Sequence, residues 1–212
     1  MSKVKPKILI GPVNKHNKGA VPTINRAFIN GLSYKYNFFP FYMQRKYGKT
    51  EGSSLNLVNV LYFFKHYITW IIKILIYKPD LVHYPITSYW NLEKSLLFLS
   101  TAKILGVKKV IGHLHGGAFD LFWQKLNPLR KKISLKLFSK LDCIIVASFY
   151  WKKFIENNGI KVKVYVVNNP IDGDFEERMS ELNSGNNNEK ILFVGSLGKR
   201  KGVYDIIEAC KL

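Results

Sequence analysis

The chain contains little cysteine, and this scarcity argues against several classes of protein. Only two cysteines, Cys143 and Cys210, occur among its 212 residues. Small disulfide-rich domains and zinc modules need several cysteines at close spacing, and the sequence has no CxxC pair. Cys143 lies in the apolar run 141–146, which predicts a small buried side chain rather than a reactive thiol. The cysteine content fits a reducing compartment.

Acidic residues are scarce in most of the chain. Residues 1–170 contain 27 lysines and arginines but only 6 aspartates and glutamates, whereas residues 171–212 contain 6 basic and 8 acidic residues. The whole chain carries a formal net charge of +19. Such an asymmetry predicts a basic surface that meets an anionic partner. Charge alone does not choose among nucleic acid, an acidic membrane and a phosphate-bearing substrate.

The sequence also lacks an uninterrupted apolar run long enough to cross a bilayer. Its longest apolar segment, 55–77, is interrupted by Lys65, His66 and Lys73, whereas a spanning helix needs about 20 mostly apolar residues. We therefore predict a core or interfacial helix here rather than a transmembrane span. The apolar run 8–10 near the amino terminus is too short for a signal peptide, so we expect none.

What the sequence does contain is a regular alternation of short apolar runs and longer helical segments. The short runs are typical of strands buried on both faces, as in parallel sheets. Repeated strand–helix units predict an α/β fold, with a Rossmann-like parallel sheet and helices on both faces. The predicted strands are 7–11, 38–43, 80–84, 109–112, 143–147, 162–167 and 191–195. The predicted helices are 22–36, 55–77, 90–105, 128–141, 149–158 and one beginning near Gly202.

A change of composition near residue 170 indicates a domain boundary. An acidic patch and the Asn-rich stretch 183–188 separate the last strand–helix unit from the rest, and stretches of this kind are typical of linkers. We predict an acceptor-side Rossmann-like domain at 1–170, a linker at 171–189, and the start of a donor-binding domain at 190–212. On this division the second domain is incomplete.

Three loops after predicted strands are candidate ligand sites, because ligands in open α/β sheets bind at the carboxyl ends of strands. In the first loop, Gly19 directly precedes a predicted helix, where free amides and the helix dipole favour an anion. Lys15 and Lys18 add positive charge. The pattern differs from the GxGxxG dinucleotide fingerprint. The loop is either an anion site or an ordinary solvated turn.

The second loop, residues 113–117 with the sequence HLHGG, follows the fourth predicted strand. Its glycines, Gly116 and Gly117, allow a tight turn and a close approach of backbone to a ligand. We expect the rings of His113 and His115 to point to opposite faces, which would make them a poor metal pair. His115 is either a site residue or a buried structural histidine.

The third loop, residues 195–202, holds the basic cluster Lys199, Arg200 and Lys201 between glycines. Ammonium and guanidinium groups in this position would neutralise the charge of a departing diphosphate. The loop does not match the GxxxxGK[ST] pattern of a P-loop. It is either a diphosphate site or a solvated basic turn.

The predicted helix 128–141 has a basic amphipathic pattern. A stripe of lysines runs beside apolar residues spaced four apart, a pattern typical of helices on anionic membranes and also of ordinary domain helices. The apolar residues are Leu129, Ile133, Leu137 and Leu141.

Together these segments resemble glycosyltransferase family 4, the group-1 glycosyltransferases with the GT-B fold, over essentially the whole chain. The most specific part, ILFVGSLGKRKGVYDIIEA at 191–209, is similar to the opening of the family's second domain. Weaker similarities are KPDLVH at 78–83, NNPID at 168–172 and HLHGG at 113–117.

The resemblance implies a site between two facing Rossmann-like domains. It implies that His115 is the catalytic residue and lies near the transferred sugar, and that Lys201 corresponds to the family's phosphate-binding lysine. Ser196 stands where the family has arginine, a role that the neighbouring basic residues would take. The implied substrate-binding residues are Gly19, Gly116, Gly117, Lys199, Arg200 and Lys201.

The resemblance also implies a reaction. It is a retaining transfer of a sugar from a nucleotide-sugar donor to a lipid-linked or polysaccharide acceptor, with no metal and no other cofactor, in the synthesis of a cell-surface polysaccharide. We expect a cytoplasmic protein, peripheral at the inner face of the cell membrane, that contacts anionic lipid and has no nucleic-acid partner.

Two alternatives to this reading stay open. The family's Glu-x7-Glu motif would lie beyond residue 212, so the chain by itself is expected to be incomplete for activity, as a non-catalytic remnant or a subunit. The charge alone would also fit a basic nucleic-acid-binding protein, although no helix-turn-helix, zinc-finger or RNP signature is present. With so little of a second domain, residues 191–212 are expected to pack poorly or to dock on the first domain.

Overall fold

The computed structural model of the chain describes residues 4–13, 19–43, 57–170, 191–195, 197–198 and 201–211. The chain divides into two compact units, residues 1–172 and 173–212. The first unit holds a sheet and six described helices, and the second unit holds one described helix.

The first unit is built on short, largely apolar strands, which are mostly buried in the inner part of the sheet and half-exposed at its two edges. They are β1 (Lys7–Val13), β2 (Asn37–Tyr42), β3 (Leu81–Ile86), β4 (Lys109–Leu114), β5 (Cys143–Val146) and β6 (Lys163–Val166). All six pair in parallel, in the spatial order β2-β1-β3-β4-β5-β6. The predicted α/β fold with a Rossmann-like parallel sheet is therefore confirmed.

The helices of the first unit lie between these strands along the chain. They are α1 (Ala20–Leu32), α2 (Leu57–Tyr77), α3 (Trp90–Ile104), α4 (Phe119–Gln124), α5 (Pro128–Phe138) and α6 (Phe149–Asn157). The sequence predicts five of them but not α4, because six residues are too few to show a helical period. Helix α1 begins two residues before Pro22, since proline is tolerated throughout the first turn.

The direction of each crossover decides which face of the sheet a helix covers. Right-handed crossovers place α1 on one face, since the chain steps from β1 to β2, and place α2 to α6 on the other, since it then steps the opposite way. Packing agrees, because Ile8 and Ile10 contact the α1 residue Phe28, whereas Leu9 belongs to a larger core with Trp70 of α2. Among the described helices, α1 alone covers its face.

Four fully buried aromatic residues form the centre of the larger core. The ring of Trp70 lies 5.0 Å from that of Phe41 on β2 and 5.2 Å from that of Tyr84 on β3. Its Nε1 atom donates a hydrogen bond of 2.9 Å to the Phe98 carbonyl on α3. A buried indole N–H needs such a partner. This cluster fixes α2 and α3 against the sheet.

Two aspartates join neighbouring strands at the amino-terminal edge of the sheet. Asp80, which precedes β3, accepts a hydrogen bond of 3.0 Å from the Lys7 amide at the start of β1. Asp142, which precedes β5, accepts one of 2.8 Å from the Val110 amide of β4. Asp142 also forms an ion pair of 2.7 Å with Lys103 of α3. These bonds fix the starts of four strands, β1, β3, β4 and β5.

The apolar stripe predicted for residues 128–141 does not coincide with the buried face of α5. The helix ends at Phe138, and its buried side chains are Ser134 and Phe138. Leu129 and Ile133 of the stripe are 65% and 46% exposed. The inward face is set by packing against α3 rather than by the spacing of the leucines.

In the second unit, the strand predicted at 191–195 is wrong. Residues 191–194 form no strand, and Ile191, Leu192 and Val194 are strongly exposed. A strand is stable only when neighbours supply its hydrogen bonds, and the residues described in this unit contain no second strand. The helix predicted near Gly202 is confirmed as α7 (Val203–Ala209).

Candidate functional site

The strand order creates a crevice between β1 and β3. The chain leaves β1 towards α1 and β2 on one side, and it leaves β3 towards α3 and β4 on the other. At such a switch point the loops diverge and leave room for a ligand. The loop after β4 lies beside the loop after β3, since these strands pair along their whole length. The candidate site is therefore the carboxyl-terminal edge of β1, β3 and β4.

Three histidines lead to this edge on the α1 face of the sheet. The Nε2 atom of His83 on β3 lies 3.2 Å from the Nδ1 atom of His113 on β4. Phe28 of α1 packs against both rings, with centroids 5.6 and 6.1 Å away. The ring of His115 lies 3.9 Å from that of His113. We call His83, His113 and His115 the histidine cluster, which runs from the core beneath α1 to the edge of the sheet.

The expectation that His113 and His115 point to opposite faces is wrong. Side chains alternate along an extended segment with a period of two residues, so positions i and i+2 share a face. The His115 amide donates a hydrogen bond of 2.8 Å to the Ile86 carbonyl. This bond continues the pairing of β3 and β4 beyond the end of β4 and keeps the segment extended. The two rings therefore lie against each other.

Burial keeps the histidine cluster neutral at neutral pH. Desolvation lowers the pKa of His83 to about 3, with a smaller effect from His115, and lowers the pKa of His115 to about 4. Desolvation, together with the two neighbouring imidazoles, lowers the pKa of His113 further. A neutral imidazole has one donor and one acceptor nitrogen. The Nε2 atom of His115 is buried and has no hydrogen-bond partner among the described residues, so its capacity for a hydrogen bond is unused.

The signal that could have placed His83 in the site is its position in the strand. His83 pairs with Ile111, and Pro85 pairs with His113. His83 and His113 are therefore two positions apart in register and share a face. In the sequence, His83 stands out only as the last residue of a strand motif. The register of two paired strands cannot be read from either strand alone.

Helix α1 begins where the first loop was predicted to bind an anion. Gly19 is the residue before the helix, and no side chain caps the first turn. Asn25 is fully buried, and its Nδ2 atom donates a hydrogen bond of 2.9 Å to the Pro12 carbonyl at the end of β1. A Cβ at Gly19 would meet only Pro22, at an ordinary 3.5 Å. Residues 14–18 of this loop lie outside the described residues.

The glycines after His115 form the turn into α4. A Cβ at Gly116 would lie 3.4 Å from the Cβ of Phe119 and 3.4 Å from the Oγ of Ser88. Gly116 therefore brings the loop after β4 close to the loop after β3, while Gly117 is exposed. A bulkier side chain at Gly116 would push these loops apart.

A carboxylate–phenol pair at the same edge was not predicted. The Tyr150 hydroxyl, at the start of α6, donates a hydrogen bond of 2.6 Å to Asp120 of α4. This bond lowers the pKa of the Asp120 carboxyl and raises the pKa of the Tyr150 phenol. Tyr89, which precedes α3, and Phe149 are exposed aromatics. No sequence signal links residues 30 positions apart, and the helix that carries Asp120 was itself not predicted.

The basic loop belongs to the second unit. Lys201 is exposed and lies two residues before α7. Gly202, between Lys201 and the helix, has a φ of 73°, a left-handed conformation that favours glycine. Lys199, Arg200 and Ser196 lie outside the described residues.

The described part of the chain offers no cluster of metal ligands. Within it, no group of three or more histidine, cysteine, aspartate or glutamate side chains is arranged to hold a metal ion. The prediction that the reaction needs no metal remains a prediction.

A comparison with known protein families bears on the whole arrangement. The family model described as Glycosyltransferase Family 4 matches residues 40–175. The chain belongs to glycosyltransferase family 4. No curated protein matches it. Family 4 membership confirms the resemblance drawn from the sequence and makes this chain a glycosyltransferase, with a sugar donor and an acceptor as its substrates.

The family 4 match covers part of the candidate site. It includes the histidine cluster, the glycine turn and the Asp120–Tyr150 pair. Gly19 and the basic loop 199–201 lie outside it. Family membership therefore fixes the general activity, and the roles of single residues are proposals.

Proposed function

We propose that this family 4 chain transfers a sugar from a nucleotide-sugar donor to a lipid-linked or polysaccharide acceptor in the synthesis of a cell-surface polysaccharide. The transfer retains the anomeric configuration and needs no metal or other cofactor. The chain acts in the cytoplasm, peripherally at the inner face of the cell membrane, where it contacts anionic lipid. Nucleic acid is not a partner.

The observation that carries this proposal is the buried, unpartnered Nε2 atom of His115 at the switch-point edge of a family 4 chain. A buried polar atom without a partner costs about 1–3 kcal/mol. A sugar hydroxyl both donates and accepts hydrogen bonds, so it pairs with a neutral imidazole of either tautomer. The lowered pKa of His115 keeps the ring in this neutral form.

The proposed reaction exchanges one bond at the anomeric carbon for another. The bond to the donor's diphosphate oxygen breaks, and a bond to the acceptor's hydroxyl oxygen forms. The acceptor's proton passes to the departing diphosphate, on which negative charge grows during the transfer. Groups that neutralise this charge are the main source of acceleration. Lys201 and its neighbours Lys199 and Arg200 are proposed for this role, with the amides beside Gly19.

His115 and the glycine turn are proposed to position the transferred sugar. His115 holds a sugar hydroxyl by its Nε2 atom, while Gly116 and Gly117 let the donor approach the backbone. The exposed ring of Tyr89 and the Asp120–Tyr150 pair lie at the same edge. An aromatic face and a carboxylate suit the apolar face and the hydroxyls of a sugar, and we assign them to the acceptor.

The test is the release of nucleoside diphosphate by the full chain, incubated with a panel of nucleotide sugars and a membrane lipid extract. We expect His115→Ala to lower turnover by about 100-fold, because the transferred sugar loses its positioning. His66→Gln is the matched control, because His66 is also a buried histidine but belongs to α2, on the other face of the sheet. It should keep wild-type turnover.

Two outcomes would contradict the proposal at different levels. Wild-type turnover by His115→Ala would remove the role of His115 but leave the activity. Sugar transfer would be rejected if the wild-type chain neither released nor bound nucleoside diphosphates. If that chain bound duplex DNA instead, the nucleic-acid alternative would be favoured.

A further inference from the structure

The outward face of α2 is apolar along the whole helix. Its exposed positions follow a helical spacing of three and four residues, so they form one continuous face. With a rise of about 1.5 Å per residue, this face is roughly 27–30 Å long. Lys65 is the one charged residue within it. The face, called here the outer stripe, consists of Leu57, Val58, Leu61, Phe64, Ile68, Ile72, Leu75 and Ile76, each 47–75% exposed.

Apolar residues normally occupy the inward face of a helix, and α2 has an inward face as well. His66, Trp70 and Ile74 are buried on that side. The hydroxyl of Tyr67 lies 2.6 Å from the Oγ1 atom of Thr101 on α3. The outer stripe is therefore additional apolar surface rather than a misplaced core. Contiguous exposed patches of this kind mark interaction sites.

The packing of α2 decides against a transmembrane arrangement. Among the described residues, α2 is the one helix long and apolar enough to cross a membrane by length and composition. To do so, it would have to withdraw Trp70 from the aromatic core and break its hydrogen bond to Phe98. A helix that keeps its inner face on the sheet can only lie along a membrane surface, with its outer stripe turned towards the lipid.

Charge identifies the kind of partner. No aspartate or glutamate occurs between residues 52 and 79, and Lys65 and Lys73 are the charged residues of α2. The chain as a whole carries +19, so a second copy meeting this face would bring the same charge and be repelled. Nucleic acid needs basic and polar groups, which the outer stripe does not offer. An anionic lipid surface suits both the apolar side chains of the stripe and the two lysines of α2.

We propose that α2 is an interfacial helix, which lies parallel to an anionic bilayer with its outer stripe among the headgroups and upper acyl chains. This inference rests on the membrane contact included in the proposed function, and it names the surface that makes the contact.

The test is flotation of the full chain with vesicles, with no sugar donor present. Vesicles of phosphatidylcholine with phosphatidylglycerol are compared with vesicles of phosphatidylcholine alone. We expect the chain to float with the anionic vesicles, and Leu61→Gln combined with Ile68→Gln to weaken binding by about tenfold or more. The matched control is Ile104→Gln combined with Leu105→Gln, since these residues are also exposed but lie at the end of α3. It should float like the wild type.

Each other outcome overturns the inference. Undiminished flotation of the Leu61/Ile68 variant would place the contact elsewhere on the chain. A wild-type dimer in solution that this variant makes monomeric, with no flotation of either, would assign the outer stripe to a second copy. Circular dichroism shows whether both variants keep the wild-type fold, as expected for exposed positions. Because no donor is used, flotation without nucleoside diphosphate release contradicts only the proposed transfer. Release without flotation contradicts this inference and the proposed membrane contact, but not the transfer.

Discussion

The Nε2 atom of His83 lies 3.2 Å from the Nδ1 atom of His113, so one of these imidazoles donates a hydrogen bond to the other inside the protein. Their remaining ring nitrogens are buried and have no partner within the described part of the chain. A proton added to either ring would place a charge in buried surroundings, beside another imidazole. The pair is therefore stable only in its neutral form.

The first prediction is a loss of stability below neutral pH. The native pKa values of His83 and His115, about 3 and about 4, lie below the ordinary value of 6.5. Between these values the unfolded chain binds protons that the native chain does not, so the free energy of unfolding falls as pH falls. The full stability is present above pH 6.5. Each such histidine removes up to about 1.4 kcal/mol per pH unit, and urea unfolding from pH 7.5 to 5 measures it.

The control for this prediction compares how steeply the free energy of unfolding changes with pH, rather than the free energy of unfolding itself. His83→Gln removes one titrating group from the histidine cluster and should make the dependence of unfolding free energy on pH shallower. The same slope in wild type and variant would show that the buried histidines do not cause the acid sensitivity.

The histidine cluster shows what the sequence could and could not predict about the site. The loop 113–117 can be predicted from the sequence as a candidate site, because two glycines follow a strand there. The structure places this loop at the predicted edge of the sheet. The relation between His113 and His115 followed from strand geometry alone and was nevertheless predicted wrongly. The contact with His83 depends on the register of β3 and β4, which neither strand's sequence shows by itself.

The second prediction concerns Gly11, where β1 passes closest to β2. A Cβ at Gly11 would lie 2.6 Å from the Cβ of Phe41 and 3.0 Å from its carbonyl oxygen. The carbonyl oxygen is part of the β2 backbone and the Cβ is bonded directly to that backbone. Neither atom can move aside unless β2 itself shifts. Gly11→Ala should therefore destabilise the protein by about 1–3 kcal/mol, measured by urea unfolding.

The matched control is Gly31→Ala in α1, where a new Cβ would meet nothing within 4 Å. Alanine in a helix is favoured over glycine, so this variant should be more stable by about 0.5–1 kcal/mol. Equal effects of the two substitutions would mean that the close approach at Phe41 does not constrain the sheet.

The third prediction concerns Asp142, which holds β4 and α3 at the start of β5. Asp142→Ala removes the acceptor of the Val110 amide and of Lys103, so we expect a loss of about 1–3 kcal/mol. Asp142→Asn keeps an acceptor for the amide and should lose less. Glu156→Ala, which breaks an exposed 4.0 Å ion pair with Lys152, should change stability by about 0.5 kcal/mol or less. A similar loss in all three variants would contradict this account.

The fold was predictable because its signals are local. Six apolar runs of strand length, separated by helical segments, are sufficient to predict a parallel sheet. The Asp120–Tyr150 pair was not predictable, because it joins two helices through tertiary packing. The strand predicted at 191–195 was wrong although its signal is local. Its apolar pattern is that of a buried strand, but a strand forms only where partner strands supply its hydrogen bonds.

The fourth prediction follows from that segment. Ile191, Leu192 and Val194 are 73–84% exposed, whereas Leu9 of β1 is fully buried between two paired strands. Amide exchange at 191–195 should therefore be far faster than at the centre of β1, since it needs no opening of a sheet. Hydrogen exchange of the monomer, followed by mass spectrometry, compares the two segments directly. Equal protection would show that residues 191–195 pair or pack in solution, and it would restore the strand that the apolar pattern predicts.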